Sequence, residues 1–316
     1  MPCVTHVSPI RLSINLFGRG ELIYQICSEI RDKMKSLVLL ASGAILVAAV
    51  ATGCGDAKKK SVGDVEVTSF PVREVILSAD KNFRIVLDGD TSYLDQYASI
   101  HWPETFGESD IAPLCDSLMR YCFGDSVFSS PEDAIRHFVN DTTVFGESNG
   151  TVKLMPVDSL PAPSDGVRCY FNNVTASVIE YDESMVTYQV TTSVYLGGAH
   201  PMTTVHPFTY DLAEGRVLDV GNMFTAQGRD SIMPVIINAL ARQLDVPVSG
   251  LDRAGIFSSQ LTYPGQPYIN NNVLYFHYNP YDIAPYSSGM IDVAVYPYEV
   301  ERFLAPGVIN LFDVGI

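Results

Sequence analysis

The middle of the chain alternates apolar and polar residues with a period of two. Val186, Tyr188, Val190 and Val194 interleave with Thr187, Gln189, Thr191 and Ser193, which predicts a strand with one buried and one polar face. The stretch 174–181 is expected to pair with it through the turn Asp182-Glu183-Ser184. A second hairpin is predicted from Thr204 to Leu212, turning at Ala213-Glu214-Gly215 and returning through Val217 and Leu218. Val273–Tyr278 is apolar on both faces and reads as a central strand, while 291–296 alternates again. Nearer the N-terminus, Val65–Val67 with Val75–Leu77, then Phe83–Leu87, read as separate strands, and Tyr97–Trp102 as another closed by Pro103.

Helical spacing interrupts these strands at a few places. Ile111, Leu114, Cys115, Leu118, Met119 and Cys122 form a stripe on a helix that Ser109 is placed to cap. Ser130-Pro131-Glu132 combines a capping residue, a first-turn proline and a first-turn acid ahead of Ile135, Phe138 and Val139. Asp230 is expected to open a helix carrying Ile232, Val235, Ile236, Ala239, Leu240 and Leu244, with Pro234 in its first turn. Pro297 starts a short terminal helix, and 155–166, with three prolines, reads as a loop. Strands punctuated by isolated helices, without strand–helix–strand alternation, predict an α+β fold with antiparallel sheets, built as two sheet-plus-helix units. The expected division is 62–170 and 171–304, with a tail at 305–316.

The 316 residues hold 36 Asp and Glu against 20 Lys and Arg, for a net charge of −16. That balance excludes nucleic acid as a partner, since such binding needs a basic footprint that displaces counterions. It suits basic or neutral partners. An apolar content of 47% also excludes a disordered chain.

One segment decides the compartment. Ser36–Gly53 carries no charge, follows Lys33 and Lys35, and ends in Ala51-Thr52-Gly53-Cys54. A basic flank, an apolar run and small residues before a cysteine are the pattern of an export signal, here with a lipobox-like end that makes Cys54 the acylated residue. Met34 is read as the true start, with 1–33 as an upstream extension, 34–53 as the signal and 54–61 as a tether bearing Lys58-Lys59-Lys60. Several acyl chains hold a protein stably on a membrane. The expected location is the cell envelope, anchored by lipid and facing the periplasm. Cleavage after Gly53 leaves a chain of charge −18. Of the later cysteines, Cys115 and Cys122 stand two helical turns apart and cannot bridge each other; a bond from either to Cys169 is open, and buried free thiols are the preferred expectation.

Several catalytic signatures are missing: there is no Walker loop, no G-x-S-x-G, no H-E-x-x-H and no C-x-x-C. Two loops stand out instead. Gly197-Gly198-Ala199-His200-Pro201 follows the clearest strand, its glycines permitting positive φ and close approach. His206 and Asp211 are further candidates beside His200, but they are an odd number apart on one strand and no third ligand has suitable spacing. Neither a metal nor a cofactor is therefore expected, and His200 reads as a turn histidine bonded to nearby backbone. The second loop is Tyr281-Asp282-Ile283-Ala284-Pro285-Tyr286-Ser287-Ser288-Gly289, in a region where eight of the 17 tyrosines fall within 36 residues. Tyrosine brings contact area and a hydroxyl with little side-chain freedom, so Tyr281 and Tyr286 suit recognition of a protein or sugar.

These two loops, with Thr209-Tyr210-Asp211-Leu212, Gly215 and Pro297-Tyr298-Glu299, occur in the order found in a known family. The chain over 175–304 resembles the extracellular domain shared by the RsiV anti-sigma factor and the non-catalytic part of the PdaC peptidoglycan deacetylase. The resemblance implies an α+β fold and, by analogy with RsiV, binding of lysozyme, a basic protein, through loops that obstruct its cleft. Nothing in the chain resembles the deacetylase domain, and 1–33 lacks the character of a sigma-binding segment. The expected function is capture of lysozyme or a cell-wall glycan without catalysis, through Gly197, Gly198, His200, Pro201, Tyr281, Asp282, Pro285 and Tyr286. The competing expectation is an enzyme, or its accessory, acting on peptidoglycan or polysaccharide, with His200 and a carboxylate in one pocket.

Overall fold

The computed structural model describes residues 72–87, 90–146, 153–160 and 168–312. The expected signal, Cys54, the tether and the strand at Val65–Val67 lie outside the described residues.

Among the described residues, ten strands form two sheets. The larger has the order β3-β1-β2-β4-β5-β6-β7, from β1 (Val72–Leu87), β2 (Asp90–Phe106), β3 (Lys153–Val157), β4 (Arg168–Tyr181), β5 (Met185–Tyr195), β6 (Met202–Asp211) and β7 (Arg216–Val217). The smaller has the order β10-β9-β8, from β8 (Gln266–Asn270), β9 (Val273–Tyr278) and β10 (Ile291–Val295). All described pairings are antiparallel except β2 with β4, so the α+β class with antiparallel-dominated sheets holds. The expected division at 170/171 falls inside β4, which is bonded to β2 on one side and β5 on the other.

Side-chain alternation assigns the two faces of the large sheet. Val186, Tyr188, Val190, Phe208 and Tyr210 pack with α1 (Ala112–Phe123) and α2 (Pro131–Val139) in one core, which includes Leu114, Leu118 and Ile135. The intervening residues of β5 and β6 face the small sheet. There the buried hydroxyls of Thr187 and Thr209 bond each other at 2.8 Å, Thr187 donates to the Ile269 carbonyl, and the Ile269 N–H donates to Thr209. Beyond that sheet lies a second core, where Phe276, Leu274, Val293 and Val295 meet Ile232, Ile236 and Leu240 of a long helix, α4 (Ala226–Gln243), which follows the short α3 (Val220–Met223). A last helical turn, α5 (Pro297–Val300), follows β10.

Several expected boundaries move, each for a local reason. The polar run Ser78–Asn82 does not break β1, because β2 pairs with it continuously there, Ser78 opposite Ser99 and Asn82 opposite Asp95. Pro103 does not close β2, which runs on to Phe106; the proline lies past the end of the β2–β4 ladder at Ile100–Ala176. Part of the expected 155–166 loop is β3, paired with Asn82–Val86. Helix α1 starts at Ala112, its N–H bonded to the Asp110 carboxylate, so Ser109 is not its cap. Helix α4 starts at Ala226, capped by Thr225, and Pro234 sits in its interior rather than its first turn. The early start depends on Gly228, whose missing side chain leaves room for the Phe303 carbonyl; a Cβ there would lie 2.3 Å from that oxygen. Ser130 caps α2 as expected, and the β4–β5 and β6–β7 hairpins, central β9 and Pro297 helix also form.

Cys115 and Cys122 are free thiols. Burial pushes Cys122 up to about 12, and burial with the Asp116 charge pushes Cys115 up to about 11. Both are protonated at neutral pH and poor nucleophiles. No helix among the described residues is long and apolar enough to cross a membrane.

Candidate functional site

The β5–β6 turn projects from one end of the large sheet. Gly197 and Gly198 both take positive φ, at 112° and 105°, and Tyr195 at the end of β5 donates its hydroxyl to the Gly198 carbonyl. Side chains prefer other backbone angles, so the paired glycines are what let the chain reverse here. His200 stands at the tip, exposed, and returns its Nδ1 to the Pro201 carbonyl at 2.8 Å. A carbonyl only accepts, so Nδ1 carries the proton and a neutral ring presents Nε2 as an acceptor. That Nε2 lies 3.1 Å from the hydroxyl of Tyr281.

Tyr281 comes from the loop between β9 and β10, 81 residues away. The same loop brings Tyr286, whose ring stacks on His200 at 3.8 Å between centroids and whose hydroxyl donates to the Pro201 carbonyl at 2.8 Å. Pro201 O therefore accepts from both rings, and the two loops form one cluster. The second loop is held from below: Ile283 and Ala284 are buried, the Ile283 carbonyl accepts from Phe257 N, and Tyr281 N bonds the Ala284 carbonyl. Asp282 faces inward, accepting from Asn279 N at 2.7 Å, while the Asn279 amide pairs with both N and O of Val205 on β6.

This framework holds Tyr281 at φ 75°, a conformation costly for a bulky residue, at about 1–3 kcal/mol. The residue is nonetheless 48% exposed. Beside Asp282, the exposed Tyr263 has its phenol pushed up, first by burial of its hydroxyl and then by the Asp282 charge. The surface presented outward is thus the imidazole of His200 and the phenol of Tyr281, backed by the half-buried ring of Tyr286.

All eight expected ligand-binding residues fall in or directly beneath this cluster. The other candidates do not join it. His206 packs on Tyr121 of α1 at 4.1 Å, where burial, then the neighbouring His277 and Arg120, push its pKa down to about 4. Asp211 caps the β6–β7 turn through the N–H groups of Ala213 and Glu214. The hydrogen-bond partners of His200 are a carbonyl and a phenol, and the neighbouring Asp282 is turned to the backbone. Sequence reasoning missed Tyr195 and Asn279, which support the loops. Tyr195 continues a strand pattern and Asn279 precedes a proline turn, so neither has a distinguishing spacing.

Residues 222–298 match the family described as "Protein of unknown function (DUF3298)". That stretch contains the Tyr281–Gly289 loop and stops short of the His200 loop. A member of this family from Bacteroides fragilis has a similar structure, with 19% identity and a TM-score of 0.59, over 77% of this chain and 98% of its own. A family protein from Pseudomonas aeruginosa aligns with 14% identity and a TM-score of 0.51, over 76% of this chain and 96% of its own. The likeness is one of fold. No curated protein matches the chain.

Proposed function

We propose that this chain is a lipid-anchored, periplasm-facing envelope protein that captures a ligand through the His200 and Tyr281–Tyr286 loops, without catalysis. The observation that carries the reading is the contact between the two loops: the half-buried Tyr286 and the exposed His200 and Tyr281 hold one another in one aromatic cluster. A rigid paratope loses little conformational entropy on binding, and tyrosine supplies area with few torsions. The strained backbone of Tyr281 fits the same reading, since strain persists where a fixed geometry is used.

The resemblance to the RsiV and PdaC extracellular domains makes a lysozyme-like protein the first candidate ligand and a cell-wall glycan the second. The charge of −16 steers a basic protein toward the chain and acts mainly on the association rate. Membrane attachment follows from the Ser36–Cys54 pattern.

The test immobilises the full chain and measures retention of hen lysozyme and of muropeptides at about 50 and 300 mM salt, which span roughly a twofold change in screening length. Lysozyme or muropeptide retained at both salts, and weakened at least about tenfold by Tyr281→Ala with Tyr286→Ala, is the expected result. Retention of neither ligand at low salt overturns the reading. Retention at low salt alone, indifferent to the tyrosines, reduces it to bulk charge.

A further inference from the structure

We propose that the His200–Tyr281 surface receives an arginine side chain of a partner protein, because its ring donors are already engaged within the chain and only acceptors and π faces remain. The inference rests on the capture reading above and names the chemistry of what is captured.

The donors can be followed one at a time. His200 Nδ1–H goes to the Pro201 carbonyl at 2.8 Å, so on the neutral ring Nε2 can only accept. Tyr281, whose hydroxyl is 3.1 Å from that Nε2, is then the donor, and its single hydroxyl proton points into the cluster. Tyr286 gives its proton to the Pro201 carbonyl at 2.8 Å, and Tyr195 gives its own to the Gly198 carbonyl. All four ring donors thus end on acceptors of the β5–β6 turn. A phenol that has donated keeps lone pairs on its oxygen. Tyr281, 48% exposed, therefore offers a ligand an acceptor and a ring but no proton. Turning that proton outward would break the bond to His200 that joins the two loops.

Ligands of different chemistry meet such a surface differently. A carboxylate or phosphate brings acceptors alone and finds no ring proton. Asp282, the one ionised side chain within 196–201 and 279–290, opposes an anion further. A sugar hydroxyl can donate to Tyr281, but the ring and acetamide oxygens of a glycan need donors in return. A guanidinium has donors only, five N–H groups in one plane, and is a flat cation that lies well against aromatic faces. It matches both properties of the surface at once. Lysine supplies donors and charge without a plane to stack, which makes it the weaker occupant. Arginine is also among the residues that carry most binding energy in protein interfaces, so a single side chain of this kind suits an anchoring role.

The probes are N-acetyl-arginine amide, N-acetyl-lysine amide, N-acetyl-glutamate amide and a trimer of N-acetylglucosamine. Each is added at constant ionic strength to the full chain carrying ¹⁵N-labelled histidine and ring-¹³C tyrosine, and the ring signals are followed by NMR. At about pH 8, above the ordinary imidazole range, His200 is expected to read as protonated on Nδ1 and bare on Nε2. Arginine amide is expected to shift the His200 and Tyr281 signals saturably, at least about threefold more tightly than lysine amide. Glutamate amide should give no saturable shift. Tyr281→Phe keeps the ring and removes the oxygen, so it should weaken arginine amide at least about threefold, and its urea midpoint reports folding independently.

A proton on Nε2 of the neutral ring overturns the inference. A saturable shift by the sugar trimer with none by arginine amide also overturns it, and leaves capture standing with a glycan as ligand. Lysozyme retained through Tyr281 and Tyr286 at both salts, while arginine amide moves no ring signal, removes the arginine assignment alone. If no probe moves the rings and neither lysozyme nor muropeptide is retained, the capture reading falls and this inference falls with it.

Discussion

Three strand edges near the C-terminal sheet meet side chains fitted to their backbone, whereas the N-terminal edge of β1 meets none from the described residues. Gln243, Asn279 and the Thr187–Thr209 pair each satisfy an N–H and a C=O of a strand end that would otherwise be open. Those residues also tie layers together: the threonines join the large sheet to the small one, and Asn279 joins the start of the β9–β10 loop to β6. The same chemistry that blunts an edge therefore positions the candidate site. Along β1 from Val72 to Lys81 no described side chain makes such a clamp, and Val75 and Ile76 are 37% and 40% exposed. The difference teaches that side-chain clamps on strand edges are a repeated device of the C-terminal half, one that the described residues around β1 do not use.

The largest effect is expected where the guard is most buried. Thr209→Val removes the acceptor for Ile269 N and one side of the hydroxyl pair, leaving a buried donor with no partner. An orphaned buried donor costs about 1–3 kcal/mol, and the lost hydroxyl contact adds to it, so destabilisation of about 2–3 kcal/mol is expected. The double change with Thr187→Val is expected to cost less than the sum, because the second orphan belongs to the same network. Urea unfolding of the single and double variants checks both values. Strict additivity would mean that the two threonines act separately and that the guard is not one device.

A smaller effect separates the two sides of the large sheet by pH. His206 sits on the α1 face with its pKa pushed down from 6.5 to about 4. The unfolded chain thus takes up a proton at pH values where the folded chain does not. Stability is fully present above about pH 7.5 and is lost as pH falls through 6.5 toward 4. Full linkage of that shift amounts to about 2 kcal/mol between pH 7.5 and 5.0, and partial solvent screening brings the expected loss down to about 1 kcal/mol. His206→Phe keeps an aromatic contact for Tyr121 and Phe208 and is expected to remove that part of the pH slope. An unchanged slope would place the acid sensitivity elsewhere.

The residues show why some of this was legible in sequence and some not. The β4–β5 hairpin was readable because one of its faces is apolar and the other is not, and α2 because Ser130, Pro131 and Glu132 act locally. Helix α4 was misplaced at its start because Ala226–Arg229 carry no apolar stripe; what makes them helical is the Thr225 cap and the fit of Gly228 against Phe303, which is 75 residues away. The strand through Ser78–Asn82 was hidden for the same reason, since only its partner in β2 keeps it extended. Both loops of the candidate site could be picked out by composition. Their meeting could not, because the His200–Tyr281 contact depends on how the small sheet seats on the large one. Residue identity marks where chemistry sits, and the layer packing decides which of those places share a surface.

The smallest effect tests the comparison at its centre. Gln243→Ala removes two hydrogen bonds from an exposed edge, where water can replace them, so only about 1 kcal/mol is expected. Its more telling consequence is a new open edge on β10, bordered by the exposed rings of Tyr296 and Tyr298. The variant should show faster amide exchange at Asp292–Ala294 and concentration-dependent association in sedimentation velocity. Ile76→Lys makes the opposite change, placing a charge on an edge that no described side chain clamps, and is expected to alter stability by no more than about 0.5 kcal/mol because Ile76 is 40% exposed. A lysine on a strand edge discourages pairing with another strand, so this variant should fold normally and show no association in sedimentation velocity. If Gln243→Ala stays monomeric with unchanged exchange, the amide is an incidental contact, and the contrast between guarded and open edges loses its physical basis.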